Sequence, residues 1–268
     1  MRIEGKVFVV TGGGNGIGRE VVAALLAKGG RVAAVDINGL AETARLTAVG
    51  DRLSTHRCDI TDIEAVRALA GAVEASHGHV DGLLNVAGII QPFVPLAELE
   101  RSTMEQVMAV NFWGVVNTCT TFLPLLSARP EASVVNVSSM GGFTPVPGQT
   151  VYGASKAAVK LLTEGLYAEM RGTNVAVTVV FPGGVATDIT TNSGVDLPGR
   201  PAGPEAEAPP TSMTTAADAA AQIIAAVEDG TYRVVIGKDA RALDVMSRLT
   251  PRRATDLVAK KMASLLDR

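Results

Sequence analysis

The sequence predicts an α/β fold: one domain built on a doubly wound parallel sheet of about seven strands, with helices on both faces. Three observations predict it. Short valine-rich runs alternate with longer alanine- and leucine-rich segments along most of the chain. The short runs are almost wholly apolar, as strands buried on both faces must be, and the longer segments have the length of crossover helices joining parallel neighbours. A chain of 268 residues, 47 % of them hydrophobic, can bury such a core without dividing. No fixed-period repeat exists beyond the βα alternation, which excludes a solenoid.

In chain order, "KVFVV" is the first strand and "GREVVAALLAKG" its helix, with a glycine-rich turn between them. "RVAAV" is the second strand, followed by the helical "GLAETARLTAV". "VDGLLNVAG" is the next, leading into the long helical stretch "STMEQVMAVNFWGVVNTCTTFLPLL". "SVVNVSS", "VAVTVVFPG" and "YRVVIG" are further strands. The stretch 196–213, "DLPGRPAGPEAEAPPTSM", is too rich in proline and glycine for an interior element and reads as a loop. Beyond Gly237, residues 238–268 read as an extension of two short amphipathic helices broken at Pro251.

Composition narrows the function. The net charge is -3 and no basic face with interleaved aromatics stands out, so a nucleic-acid partner is not expected. The N-terminal apolar run is five residues long, too short for a signal-peptide core or a membrane span, and the expected location is the cytoplasm, away from membranes. Cys58 and Cys119 form neither a CxxC pair nor a ligand-spaced group with the three histidines, so reduced, buried cysteines and no metal are expected.

The turn "TGGGNGIGRE" sits between a strand and a helix. Gly12, Gly16 and Gly18 permit a tight turn, close backbone approach to a pyrophosphate and close helix packing, while the helix N-terminus offers unpaired N–H groups to anionic oxygens. A dinucleotide site follows. The second strand ends at Asp36, where a carboxylate meets ribose hydroxyls and repels a 2'-phosphate. Ile37, Asn38 and, within the turn, Asn15 supply no cation to offset that repulsion, so NAD is favoured over NADP.

In "VYGASKAAVK", Tyr152 and Lys156 lie four residues apart and share a helix face. Lowering a phenol from its usual pKa of about 10 to about 7 takes roughly 4 kcal/mol, which a neighbouring ammonium can supply. A proton donor or acceptor matched to neutral pH is what interconversion of an alcohol and a ketone by hydride transfer requires. YxxxK alone also describes many exposed helix pairs, so its companions matter. Ser138 and Ser139 end a strand, where α/β sheets bind ligands. Asn111 is a polar amide in an apolar helical stretch, either a satisfied packing residue or part of a polar network.

Together these residues resemble the short-chain dehydrogenases/reductases, which have a Rossmann-type fold. The resemblance runs from Gly5 to about Gly237 through "TGGGNGIG", "CDI", "NVAG", Asn111, "NVSS", "YGASK" and "FPGGVAT", in order and correctly spaced. It implies Tyr152 as catalytic acid/base, Lys156 as holder of the nicotinamide ribose and tuner of Tyr152, and Asn111 as holder of a relay water. Ser139 rather than Ser138 would orient the substrate oxygen, because the family usually keeps thirteen residues between serine and tyrosine. The turn residues Gly12, Asn15, Gly16, Ile17 and Gly18, together with Asp36, would hold the dinucleotide. Asp59 and Ile60 would contact adenine; Asn85, Ala87 and Gly88 the adenosine ribose; Pro182, Gly183, Val185 and Thr187 the nicotinamide end. The chain departs from the family's NNAG at Val86, which puts local polar contacts in doubt.

The resemblance also places Ile89, Ile90, Phe93, Met140, Phe143 and Val146 around the substrate, with no cationic cluster, which implies a small apolar alcohol or ketone. It implies a homo-oligomer, dimer or tetramer, pairing helices over 102–126 and 152–171. Residues 190–214 are expected to form a lid. Other readings are a nucleotide-sensing protein without turnover, a sugar-nucleotide epimerase or dehydratase, and an NADP-dependent ketone reductase. The first usually loses the tyrosine or lysine that this chain keeps, and the second needs a longer C-terminal domain.

Overall fold

A computed structural model describes residues 1–47, 50–195 and 213–266. Strand β1 (Val7–Thr11) is buried at every position and leads through the glycine turn into α1 (Gly16–Ala27). Then come β2 (Arg31–Asp36), α2 (Leu40–Thr47), β3 (Leu53–Arg57), α3 (Ile63–His77) and β4 (Gly82–Asn85). The long helical stretch is α4 (Arg101–Met108) and α5 (Gly114–Ser127), joined by a π-helical turn, Ala109–Trp113. β5 (Ala132–Val137), α6 (Thr150–Met170) and β6 (Val175–Pro182) follow, then β7 (Val185–Ala186), α7 (Ile189–Asn192) and β8 (Thr214–Thr215). α8 (Ala216–Asp229), β9 (Arg233–Ile236), α9 (Lys238–Leu249) and α10 (Pro251–Lys261) follow, then a 3-10 turn, Ala263–Leu265, and Pro251 opens α10 as its missing N–H allows.

Seven parallel strands form the main sheet in the order β3-β2-β1-β4-β5-β6-β9. The sequence reading identified six of them. The seventh, β3, reads LSTHR; at a sheet edge a strand meets solvent, so it lacks the apolar run that marks the others. Successive side chains divide between two cores. Val9, Ala33, Leu83 and Val134 face α3 and α5, whereas Phe8, Val10, Val32, Ala34 and Leu84 face α1 and α8. Strand order reverses at β1, between β2 and β4, which opens a crevice at the carboxyl ends of β1 and β4.

The stretch Arg101–Ser127 is long and apolar enough to cross a membrane, with a mean hydropathy of 1.2. Part of its apolar surface is packed within the domain, where Val107, Val115, Cys119, Phe122 and Leu126 are buried. Cys58 and Cys119 are both buried free thiols. No group of three or more potential metal ligands occurs among the described residues. Most of the lid anticipated over 190–214 lies outside the described residues. Its described start is the short helix α7 and a turn at Gly194.

At the opposite end of the sheet from the crevice, Asp81 is fully buried before β4. Its carboxylate accepts from Val7 N at 3.0 Å and Arg129 Nε at 2.8 Å, with His79 Nε2 at 3.0 Å and Lys6 Nζ at 3.7 Å. Burial pushes its pKa up, but the Val7 amide, the Arg129 hydrogen bond and the nearby cations outweigh burial and hold it below 3.8. A depressed carboxyl stabilises the fold above its unfolded pKa, and that contribution fades as pH falls through the folded value. Asp81→Ala should therefore cost about 2 kcal/mol at pH 7. In urea unfolding the gap from wild type should narrow below about pH 4.

Candidate active site

The crevice is floored by the ends of β1, β2, β4 and β5. Gly12 turns the chain at φ 71°, and a side chain there would meet Ala87 N at 2.8 Å, so the turn and the segment after β4 touch through backbone alone. Thr11 Oγ1 accepts from Val86 N at 3.1 Å and Ala87 N at 3.3 Å, which fixes that segment although Val86 brings no polar side chain. Asp36 Oδ2 accepts from Gly14 N at 2.9 Å. Thr43 Oγ1 donates to Gly13 O at 2.9 Å, and Arg19 Nε to Gly14 O at 3.0 Å, so helix α2 and α1 hold the turn from outside.

These residues suit a dinucleotide. Asn15, at the N-cap of α1, accepts from Arg19 Nη2 at 3.3 Å rather than from a backbone N–H, which leaves the first-turn N–H groups to a pyrophosphate. A Cβ on Gly16 would lie 3.4 Å from Thr187, so the turn and the segment after β6 converge on one place. Asp59 is exposed and Ile60 is buried against Gly114. Asn85 differs from the expected ribose contact in where its side chain goes. It is 2 % exposed, and its amide is satisfied inside the sheet, donating to Asn136 Oδ1 at 2.9 Å and accepting from Thr118 Oγ1 at 2.8 Å. Backbone is what this position offers a ribose.

Arg57 is a cation the sequence reading missed beside Asp36. The two are register partners on β2 and β3, and Arg57 Nε donates to Ile37 O at 3.3 Å. Twenty-one positions of sequence hid a neighbour that strand pairing brings across.

Tyr152 and Lys156 sit on the first turns of α6. Lys156 is 4 % exposed, and its Nζ donates to Val137 O at 3.1 Å. The lack of a side chain on Gly88 makes room for it: a Cβ there would lie 3.0 Å from Nζ and 3.2 Å from Asn111 Oδ1. The Ser139 hydroxyl hydrogen-bonds the Tyr152 hydroxyl and accepts from Gly141 N at 3.0 Å, whereas Ser138 Oγ is turned away and donates to Lys156 O at 2.7 Å. Asn111, fully buried in the π-helical turn, accepts from Ile89 N and donates to Ile89 O, both at 2.9 Å, and donates to Ser155 Oγ at 3.0 Å. Both sequence alternatives for Asn111 thus meet: it is satisfied, and it belongs to a network.

Burial dominates both titratable groups. It raises the Tyr152 phenol above 10.0, only partly offset by the Ser139 hydrogen bond, and it lowers the Lys156 ammonium from 10.5 to about 8. Lys156 is not among the groups that shift Tyr152 in the protein alone. The expected lowering of the phenol therefore needs more than the helix face that the two residues share.

Around this centre, Pro182, Gly183 and Val185 enter from β6 and β7, and Gly184 N donates to Asp239 Oδ2 at 2.8 Å, which ties the segment to α9. Ser193 Oγ accepts from Ile90 N at 3.1 Å and links the two walls expected to face substrate. Met140 begins the turn after Ser139. Phe143 packs on Phe181 with ring centroids 5.4 Å apart. Phe93 lies against Gly148, where Leu266 of the C-terminal extension also arrives.

A family model described as short chain dehydrogenase matches residues 6–197. A Mycobacterium tuberculosis protein named SadH, only provisionally named an oxidoreductase, is 39 % identical over 266 residues, 97 % of this chain and 96 % of its own length. Among solved structures, this chain is similar to a Burkholderia phymatum short chain dehydrogenase/reductase in complex with NAD, at TM-score 0.81 and 28 % identity over 94 % of this chain and 95 % of that one. It is similar also to a Burkholderia cenocepacia short chain dehydrogenase in complex with NADP, at TM-score 0.80 and 28 % identity, covering 96 % and 99 %.

Lys156 gives the site a measurable pH signature. Its folded pKa, about 8, lies below its ordinary 10.5, so between those values the unfolded chain binds more protons and stability rises with pH. Without cofactor, wild-type protein should gain about 2–3 kcal/mol relative to Lys156→Met between pH 7 and pH 10.5, read by urea unfolding. Parallel profiles for the two proteins would mean that the ammonium is not held at a cost.

Proposed function

The chain belongs to the short chain dehydrogenase family, and from that premise we propose that it is an NAD-dependent oxidoreductase interconverting a small, apolar secondary alcohol and its ketone. The observation that carries the reading is the convergence of Tyr152, Ser139 and Lys156 beside the glycine turn, at the strand ends where the fold binds ligands. The dinucleotide supplies the hydride acceptor or donor. Gly12, the first turn of α1, Asp36 and Thr187 would hold it, and Lys156 Nζ would bond its nicotinamide-side ribose.

Tyr152 Oη takes the proton from the alcohol in oxidation and returns it to the ketone oxygen in reduction. Ser139 Oγ, already bonded to that phenol, orients the substrate oxygen. Asn111 holds the chain after β4 against α6 and would seat a water leading from Lys156 to solvent. Ile89, Ile90, Phe93, Met140, Phe143 and Val146 make the pocket apolar. Retention of both Tyr152 and Lys156 argues against a protein that binds nucleotide without turnover. The protein acts in the cytoplasm, where Cys58 and Cys119 stay reduced. Trp113 and Leu161, 55 % and 69 % exposed on the helices expected to pair, support a homo-oligomer.

Arg57 favours a second reading, in which NADP is the cofactor and this guanidinium receives the 2'-phosphate. Measuring kcat/KM for NAD and NADP with a panel of secondary alcohols separates the two. NAD should be preferred, and Asp36→Ala should move the ratio toward NADP by about tenfold or more. A wild-type preference for NADP that Arg57→Ala abolishes would establish the second reading.

Tyr152→Phe should still bind NADH while turnover falls at least about 100-fold, since general acid–base catalysis contributes that much. Near-normal turnover in this variant would rule the mechanism out.

A further inference from the structure

The N-terminus of α6 carries Tyr152 at its third position, yet its own N-cap residue does not cap it. Gln149 makes no side-chain bond to the helix, because its Nε2 donates instead to Gln91 O at 2.6 Å. Two helix N–H groups, those of Val151 and Tyr152, thus need an acceptor from elsewhere.

Gln91 provides it. This side chain is fully buried in the segment after β4, sixty positions upstream of the helix it serves. Its Oε1 accepts from Val151 N at 3.0 Å and from Tyr152 N at 2.9 Å, while its Nε2 donates to Gly148 O at 2.8 Å. Two residues earlier, Asn111 grips both backbone groups of Ile89 and reaches Ser155, whose Oγ donates to Tyr152 O at 2.7 Å. The segment 89–91 is therefore pinned to α6 at one end by Gln91 and at the other by Asn111, and both pins close on the backbone of Tyr152.

We infer that Gln91 is a positioning residue for the reaction: it caps the catalytic helix from outside and sets where the Tyr152 phenol stands relative to Ser139 and the Ile89–Ile90 wall. This rests on the reading of Tyr152 as the proton-transferring group. An amide suits the task because it accepts two N–H groups and donates to a carbonyl at once. It also leaves the positive end of α6 without a counter-charge, which favours the phenolate of Tyr152; a carboxylate there would oppose it.

Two variants and three readouts test this. Gln91→Met keeps the volume and removes the cap. It should lower kcat by about 10- to 100-fold, as a small displacement of a reacting group does, while NADH affinity stays within about twofold. In the cofactor-free protein, amide hydrogen exchange over residues 151–152 should accelerate by about tenfold or more. Gln91→Glu keeps the acceptor and adds a charge, so it should move the pH midpoint of kcat upward by about half a unit or more. A methionine variant with unchanged exchange at 151–152 and kcat within twofold of wild type overturns the inference. Equal losses of kcat, NADH affinity and thermal stability overturn it too, as does a glutamate variant with an unmoved pH midpoint. If wild-type protein turns over no alcohol or ketone, the functional reading falls, while the exchange measurement still decides whether Gln91 caps α6.

Discussion

The Lys156 ammonium has lost nearly all its water, and its Nζ donates to one carbonyl, Val137 O. The fold thus holds a cation where burial disfavours its charge, and the surrounding features follow from that constraint. Gly88 leaves the space beside Nζ, Asn111 brings an amide oxygen to the same gap, and Ser138 bonds Lys156 O rather than facing the crevice. A charge kept short of partners is poised to gain from a ligand that brings acceptors. The cost of keeping it falls on stability, and the rest of the domain, with two cores packed on a seven-stranded sheet, offsets it.

Polar groups inside the domain do most of the aligning. Asn85, Asn136 and Thr118 bond one another between β4, β5 and α5, so the strand ends that floor the crevice keep a fixed relation. The π-helical turn between α4 and α5 carries Asn111 with every side-chain group partnered, in the kind of helical irregularity often found at functional sites. From β4 onward the chain passes through Ile89 and Gln91, and each is tied to the helix bearing Tyr152. Hydrogen-bonded in this way, Tyr152 is held at its carbonyl by Ser155 and at its amide by Gln91. The phenol itself remains raised by burial.

Much of this was legible in the sequence because burial writes itself in apolar runs. β1, β2, β5, β6 and β9 announce themselves as valine-rich strands, and Pro251 marks the break between α9 and α10. The glycine turn and the Tyr152–Lys156 spacing were legible since backbone approach and helix periodicity constrain residue type. β3 was not, because an edge strand may be polar. Nor was Gln91, since a glutamine in a loop looks the same whether it is solvated or capping a helix sixty residues away. Arg57 was hidden by strand pairing, and Asn85, at the crevice end of β4, turns its side chain inward for reasons of neighbours on β5 and α5 that no local pattern records.

The claim that a burdened Lys156 awaits the dinucleotide can be measured without turnover. NADH, whose ring is uncharged, can be titrated calorimetrically into the protein at pH 8 in two buffers of different ionisation enthalpy. With Lys156 near pKa 8, about half the molecules carry the neutral amine, and ribose acceptors bonding the ammonium should draw a proton onto it. The account predicts uptake of roughly 0.3–0.5 proton per site in wild type and none in Lys156→Met. Binding of NADH with no proton uptake in the wild-type protein would contradict it.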